Sequence, residues 1–300
     1  MILSAALAAL VLSAPPEQPQ RFEFRDGDCV VWIGGTLVER EQRYGYWESL
    51  LLAANADKKI TFRNLGWSGD TVHAEARGRF DFADAEKCFK QLVNLTLELK
   101  PTVIFISYGT NESFEGKDGL PKFEKGLEKL LDALKPANAR VVLFSAPPFE
   151  AVPGAFDEAA RNARNASLTE YNRAVRDVAE RRGVVLADLA YGFENLRVLE
   201  KRTENGMHLT ERGYKLTAHT VPNALTMGLA SGMKENAERL RPAVVAKNEL
   251  FFHRWRPQNE TYLFGFRKHE QGRNAKEVAE FDPLVAKAEE EIEKIRKTIK

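Results

Sequence analysis

Three short blocks, far apart in the chain, carry groups of the kind that acyl transfer needs. Glu204-Asn205-Gly206-Met207-His208-Leu209 supplies an imidazole, Gly109-Thr110-Asn111 a side-chain amide, and Gly66-Trp67-Ser68-Gly69-Asp70 a glycine whose backbone N–H can be aimed by a turn. An imidazole titrates near neutral pH and can act as a general base. Amide and backbone N–H groups stabilise a developing oxyanion, worth about 3–4 kcal/mol where one such donor has been removed elsewhere. A hydroxyl nucleophile is expected after the first strand, and there the chain reads Ile33-Gly34-Gly35-Thr36-Leu37. Thr36 has the hydroxyl, but its extra methyl restricts χ1 and crowds the approach.

Each of these residues also has a plainer reading. His208 would bond to backbone ahead of a helix, Asn111 and Gly69 would make turns, and Thr36 would cap a segment beginning at Leu37. Ser68 is a rival nucleophile, although Asp70 stands where a G-x-S-x-G elbow needs glycine. A catalytic histidine usually has a carboxylate to fix its tautomer. Asn205, three residues before His208, can orient the ring without charge; Glu204 is charged but one residue further off. Both remain candidates. His73, His219, His253 and His269 form no HxH or HxxxH pair, so no metal is expected. No Walker A loop is present and no GxGxxG follows the first strand, so no cofactor is expected either.

Elements that would position these groups are legible as alternating patterns. Strands are predicted at Cys29–Ile33, Ile60–Leu65, Val103–Ser107, Arg140–Ser145 and Val184–Leu189, two of them continuous apolar runs as in a parallel sheet covered on both faces. Between them Leu127, Leu130, Leu131 and Leu134 share one helical face, as do Tyr171, Ala174, Val175 and Val178. Strand–helix alternation implies a three-layer α/β/α sandwich on a mainly parallel five-stranded sheet. In such sheets sites lie at the carboxyl ends of strands. Gly34–Thr36, Gly66–Asp70, Tyr108–Glu112 and Pro147-Pro148 follow the first four strands, and His208 precedes a helix that Thr210 would cap. All the suspicious blocks fall on one rim.

The 300 residues are 44% hydrophobic and 29% charged, with a net charge of +1, which excludes a nucleic-acid or membrane-surface partner drawn by bulk charge. Met1–Leu12 is one apolar run followed by Ser13-Ala14-Pro15-Pro16. It is shorter than the roughly 20 residues needed to span a bilayer, and reads as a signal peptide cleaved near Ala14, although no Lys or Arg precedes the run. A secreted or periplasmic protein with no membrane span after signal removal is therefore expected. Cys29 and Cys88 read as buried free thiols, with one disulfide between them as the alternative in an oxidising compartment. The expected organisation is a signal peptide and linker over 1–20, an α/β domain over 21–238 and a carboxy-terminal extension over 239–300. In the extension Asn248–His269, dense in aromatic and basic residues, reads as an irregular arm, and the stripe from Phe281 to Ile299 reads as an amphipathic helix docked on the domain.

The blocks in this order resemble the SGNH (GDSL-type) esterase and acylhydrolase superfamily, over roughly Cys29 to Ala230. Gly69 in Trp-Ser-Gly-Asp-Thr matches its glycine block, Asn111 in Tyr-Gly-Thr-Asn-Glu its asparagine block, and His208 in Asn-Gly-Met-His-Leu-Thr its histidine block. The resemblance implies a flavodoxin-like fold and metal-free hydrolysis of esters of carbohydrates, lipids or small acyl groups. Two departures touch the chemistry. Gly-Asp-Ser becomes Gly34-Gly35-Thr36, and the aspartate of Asp-x-x-His becomes Asn205. One expectation is thus a secreted ester hydrolase on a small-molecule or saccharide ester: Thr36 attacks, His208 is the base, Asn205 or Glu204 orients it, and Gly69, Asn111 and the Thr36 N–H hold the oxyanion. The other is a binding module for a carbohydrate or acylated ligand without turnover, with Trp47, Trp67 and Trp255 as stacking surfaces. Oligomeric state leaves no mark in the sequence.

Overall fold

Alternating apolar and β-branched residues place the five strands in one parallel sheet. In the computed structural model, which describes residues 21–77, 83–154, 156–196, 200–270 and 274–299, these are β1 (Cys29–Gly34), β2 (Thr61–Asn64), β3 (Val103–Ser107), β4 (Arg140–Phe144) and β5 (Val185–Ala187). Their order is β2-β1-β3-β4-β5 and every pairing is parallel, with Trp32 beside both Asn64 and Phe105. Each predicted strand is present to within two residues at either end. The expected signal segment lies outside the described residues.

Helices α1 (Thr36–Tyr44) and α2 (Tyr46–Ala54) follow β1; α3 (Ala85–Glu98) follows β2; α4 (Gly116–Leu134) and α5 (Glu158–Arg182) flank β4. After β5 come α6 (Leu189–Glu194), α7 (Glu211–Thr217), α8 (Thr220–Ala224), α9 (Met233–Trp255), α10 (Glu260–Leu263) and α11 (Phe281–Thr298). Strand side chains alternate between the two faces. Val30, Trp32, Phe105 and Phe144 pack with residues of α2, α7, α8 and α9, whereas Val31, Ile33, Ile104 and Ile106 pack with α3, α4 and α5. The leucine face of α4 and the Tyr171–Val178 face of α5 are buried as their spacing predicts. Gly183 ends α5 in the left-handed conformation, after Arg181 and Arg182 in its last turn.

The stretch expected to be irregular from Asn248 begins instead as the end of α9, which also runs through position 238/239. Of its aromatic residues Phe251 and Trp255 join the second core, whereas Phe264 and Phe266 beyond the helix are exposed. A buried ion pair sets this helix against the sheet edge, because the Lys247 ammonium donates to Glu48 Oε1 (2.7 Å), Asn248 Oδ1 (2.7 Å) and the Phe62 carbonyl of β2 (3.0 Å). Covering an edge strand this way removes its capacity to pair with another chain. α11 docks on α9 through Val285 and Ile292, while Leu284, expected in the same stripe, stays about half exposed. Neither cysteine is in a disulfide; Cys88 is buried but Cys29 only half-buried, a correction to the expectation that both are internal. Among the described residues no helix is long and apolar enough to cross a membrane.

Candidate active site

In an open parallel sheet the crevice forms where strand order reverses, between β1 and β3 here. Thr36 leaves the carboxyl end of β1 and Asn111 that of β3. Thr36, Asn111 and His208 all line one cleft there, together with Arg40, Pro147, Phe149, Arg202 and Met207, enclosing about 40 Å³. Thr36 is the first residue of α1, whose cap is Gly35, so it does not act as the helix cap its plainer reading suggests. Its N–H is therefore one of the unpaired donors at a helix start, where the helix dipole favours negative charge.

Gly69 makes the turn its plainer reading expects. Its φ of +75° lets the turn form, and its N–H donates to Thr36 Oγ1 at 3.1 Å. The Asn111 amide donates to the backbone carbonyl of Asp70 at 2.7 Å, which orients the group and leaves its second N–H for the cleft. Asp70, present in the glycine block but not singled out by spacing, is what fixes that carbonyl. Its buried carboxylate accepts from Arg77 Nε at 2.6 Å and the Tyr108 hydroxyl at 3.0 Å. Next to Asn111, Glu112 accepts the N–H groups of Val72 (2.7 Å) and Gly109 (2.9 Å), and burial pushes its carboxyl up to about 7. Ser68 is exposed and does not line the cleft, and its N–H donates to Glu39.

His208 sits in a tight loop closed by the Thr203–Leu209 bridge and by the Glu204 N–H bonding to the His208 carbonyl at 2.9 Å. Gly206 has φ +88°, and a Cβ there would lie 2.6 Å from the Glu150 carbonyl, so the loop needs glycine. Thr210 caps α7 through the Gly213 N–H at 3.0 Å, as expected. Burial, reinforced by Arg40, lowers the His208 pKa and keeps the ring neutral near pH 7; Glu204 opposes this. Among the described residues no hydrogen bond joins His208 to Thr36.

The two candidates for orienting the ring are separated by their other partners. Asn205 Oδ1 accepts the N–H groups of His208 (2.8 Å) and Met207 (3.2 Å). Only an oxygen can meet two donors, so the amide nitrogen must be the atom 3.2 Å from His208 Nδ1. Nδ1 then accepts a hydrogen bond and the ring proton resides on Nε2. Glu204 is 3.7 Å from Nδ1, and its Oε1 is held at 2.7 Å by Arg40. Arg40 was not anticipated, although it lies one helical turn after Thr36 and hence on the same face of α1. The tryptophans offered as ligand platforms are not available as such. Trp47 is fully buried and bonds to Thr217, Trp255 is buried, and the Trp67 ring lies 3.6 Å from the Arg256 guanidinium.

This architecture is similar to solved structures that share little sequence with it. LAE5, an alpha/beta hydrolase from the metagenome of Lake Arreo, Spain, is 22% identical, with 69% of this chain covering 99% of that one at a TM-score of 0.52. A catalytic mutant of Axe2, an acetylxylan esterase from Geobacillus stearothermophilus, is 18% identical over 69% and 98% of the two chains, with a TM-score of 0.54. A protein described as a GDSL-like lipase, from Parabacteroides merdae, is 18% identical over 70% and 100%, with a TM-score of 0.53. At these identities the likeness establishes the fold alone. No curated protein matches the chain. The model of the GDSL-like lipase/acylhydrolase family matches residues 27–216, which holds all four blocks, and the chain belongs to that family.

Proposed function

We propose that the protein hydrolyses a short-chain ester, slowly, through Thr36. The observation that carries this is the contact of the Gly69 N–H with Thr36 Oγ1 at 3.1 Å, on a cleft also lined by Asn111 and His208. Thr36 Oγ1 attacks the carbonyl carbon and its proton passes to His208 Nε2. The oxyanion is held by the N–H groups of Gly69 and Thr36 and by the Asn111 amide, and the alkoxide departs with the proton from His208. Water then attacks the acyl-threonine, His208 takes its proton and returns it to Thr36, and the carboxylic acid leaves. Each step in which His208 takes a proton needs Nε2 unprotonated beforehand, whereas Asn205 favours the tautomer that already carries a proton there. Turnover therefore proceeds through a minor form of the ring.

An acetylated saccharide is the substrate we favour, a reading supported by the acetylxylan esterase among the similar folds and by the apolar leader at Met1–Leu12. That leader would send the protein to the periplasm or outside the cell. Amino-terminal sequencing of the mature protein would reveal a start near Pro15 if so. The amide facing Nδ1 favours a second reading, in which the cleft binds the ester and releases it unchanged.

p-Nitrophenyl acetate hydrolysis by the wild type, Thr36→Ala, Thr36→Ser and His208→Ala separates the two. We expect Thr36→Ala and His208→Ala to fall to background and Thr36→Ser to exceed the wild type. A wild type no faster than Thr36→Ala would leave only the binding reading. A fluorophosphonate adduct mapped to the peptide carrying Thr36 would identify the attacking oxygen.

A further inference from the structure

The family match ends at residue 216, yet a residue beyond it reaches the turn that carries Gly69. Arg256 follows α9, and its backbone N–H is tied to the Phe252 carbonyl at 2.9 Å. Its guanidinium lies 3.6 Å from the Trp67 ring centroid and its Nη1 is 2.7 Å from Glu39 Oε2. The same Glu39 oxygen accepts the N–H of Ser68, the residue before Gly69. Glu39 is buried, and Trp67 is itself tied to the end of β1 through the Gly34 carbonyl at 3.0 Å. Trp67 also packs on Trp255, with ring centroids 5.8 Å apart. Trp67 is thus covered directly from the carboxy-terminal extension, while the Ser68 N–H is held by Glu39 of α1, the carboxylate that the same arginine pairs.

We infer that Arg256 is a positioning residue for the oxyanion turn, acting through Glu39 and Trp67 to aim the Gly69 N–H at the reacting oxygen. The catalytic part of this inference rests on the hydrolytic reading above; the brace on the turn does not. A planar cation does two things at once here. It stacks on the indole and donates to the carboxylate, a combination lysine cannot reproduce. Without it Glu39 keeps its bond to Ser68 but loses its cation, leaving Arg43 at 3.8 Å as the remaining contact. The turn then keeps its bonds to Glu39 and Gly34 but loses the cation over Trp67, so its mobility rises, and a donor displaced from the oxyanion costs rate rather than binding.

The test uses the full chain with Arg256→Ala, Arg256→Lys and Glu39→Gln, each first checked for an unchanged thermal midpoint. Backbone hydrogen exchange should rise about tenfold in peptides covering residues 65–70 of Arg256→Ala, with α3 peptides unchanged. Ester hydrolysis should lose about tenfold in kcat with KM within twofold, and Arg256→Lys should recover the exchange protection only in part. Unchanged exchange at 65–70 in Arg256→Ala would overturn the brace, whatever the activity. Raised exchange with unaltered kcat would overturn the positioning role. A wild type without esterase activity but with the exchange response would retain the brace, and would refute hydrolysis and the catalytic role together. Should Arg256→Ala lower the thermal midpoint, Arg256→Lys and Glu39→Gln carry the same comparison.

Discussion

Replacing Asn205 by aspartate should reverse the tautomer of His208 and raise esterase activity. In the present structure two backbone N–H groups, at 2.8 and 3.2 Å, claim the amide oxygen and turn the nitrogen towards Nδ1 at 3.2 Å. An aspartate in the same rotamer keeps both backbone bonds on one oxygen and offers the other to Nδ1–H, leaving Nε2 free to take the Thr36 proton. The reverse exchange, aspartate to asparagine in a serine-protease triad, costs about 10⁴ in kcat, or about 5.5 kcal/mol at 1.36 kcal/mol per decade. Less should be regained here. Thr36 keeps its crowding methyl, and Asn205 is exposed, so solvent screens the new charge. A gain of about 10²-fold in kcat/KM is expected, rising further when combined with Thr36→Ser. The new carboxylate also raises the His208 pKa, which burial and Arg40 now hold down, so the acid limb of the pH–rate profile should move to higher pH. Hydrolysis of p-nitrophenyl acetate gives the rate, and long-range proton–nitrogen spectra of the imidazole give the tautomer directly. A wild-type ring already protonated on Nδ1, or a variant that changes tautomer without gaining rate, would refute the reasoning.

Two further outcomes concern stability. Glu112 has a folded pKa of about 7 against 4.5 for the free group, so the folded state binds more protons between those values. Its contribution is fully present below about pH 4.5 and is lost as pH rises through 7, amounting to roughly 3 kcal/mol. Glu112→Gln should flatten the difference in urea-unfolding free energy between pH 5 and pH 8; an unchanged difference would assign it to other groups. Lys247→Met leaves Glu48 buried without its cation and should cost about 3–5 kcal/mol. The double variant Lys247→Met/Glu48→Leu should recover most of that loss, and failure to do so in the same urea titration would show that packing, not charge, holds α9.

Much of this molecule was legible before any coordinates. Runs such as Val103–Ser107 carry β-branched residues on both faces because both faces are covered, and the α4 and α5 stripes repeat at helical spacing because one side of each is buried. These are local signals, since burial of an element imprints its period on its own residues. The aromatic residues after Asn248 misled for the same reason. Phe251 and Trp255 share one buried face of α9, but Leu240 and Val244 earlier in the helix face the other core and Phe264 and Phe266 beyond it are exposed, so the aromatic block as a whole carries no one period.

The sequence by itself determined the α/β class and the rim on which the four blocks meet, and its resemblance to the family implies that threonine and asparagine substitute for an expected serine and aspartate. Only the tertiary structure decided what those substitutions do. Which atom of Asn205 faces His208 depends on two N–H groups brought round by the loop, and Glu204 is drawn aside by Arg40 from a helix far earlier in the chain. Trp67 is covered by Arg256, and Asn111 is aimed by a carbonyl fixed over a buried Asp70–Arg77 pair. Partners of this kind meet through the path of the chain, and residues that meet only there carry no shared period from which the contact can be read.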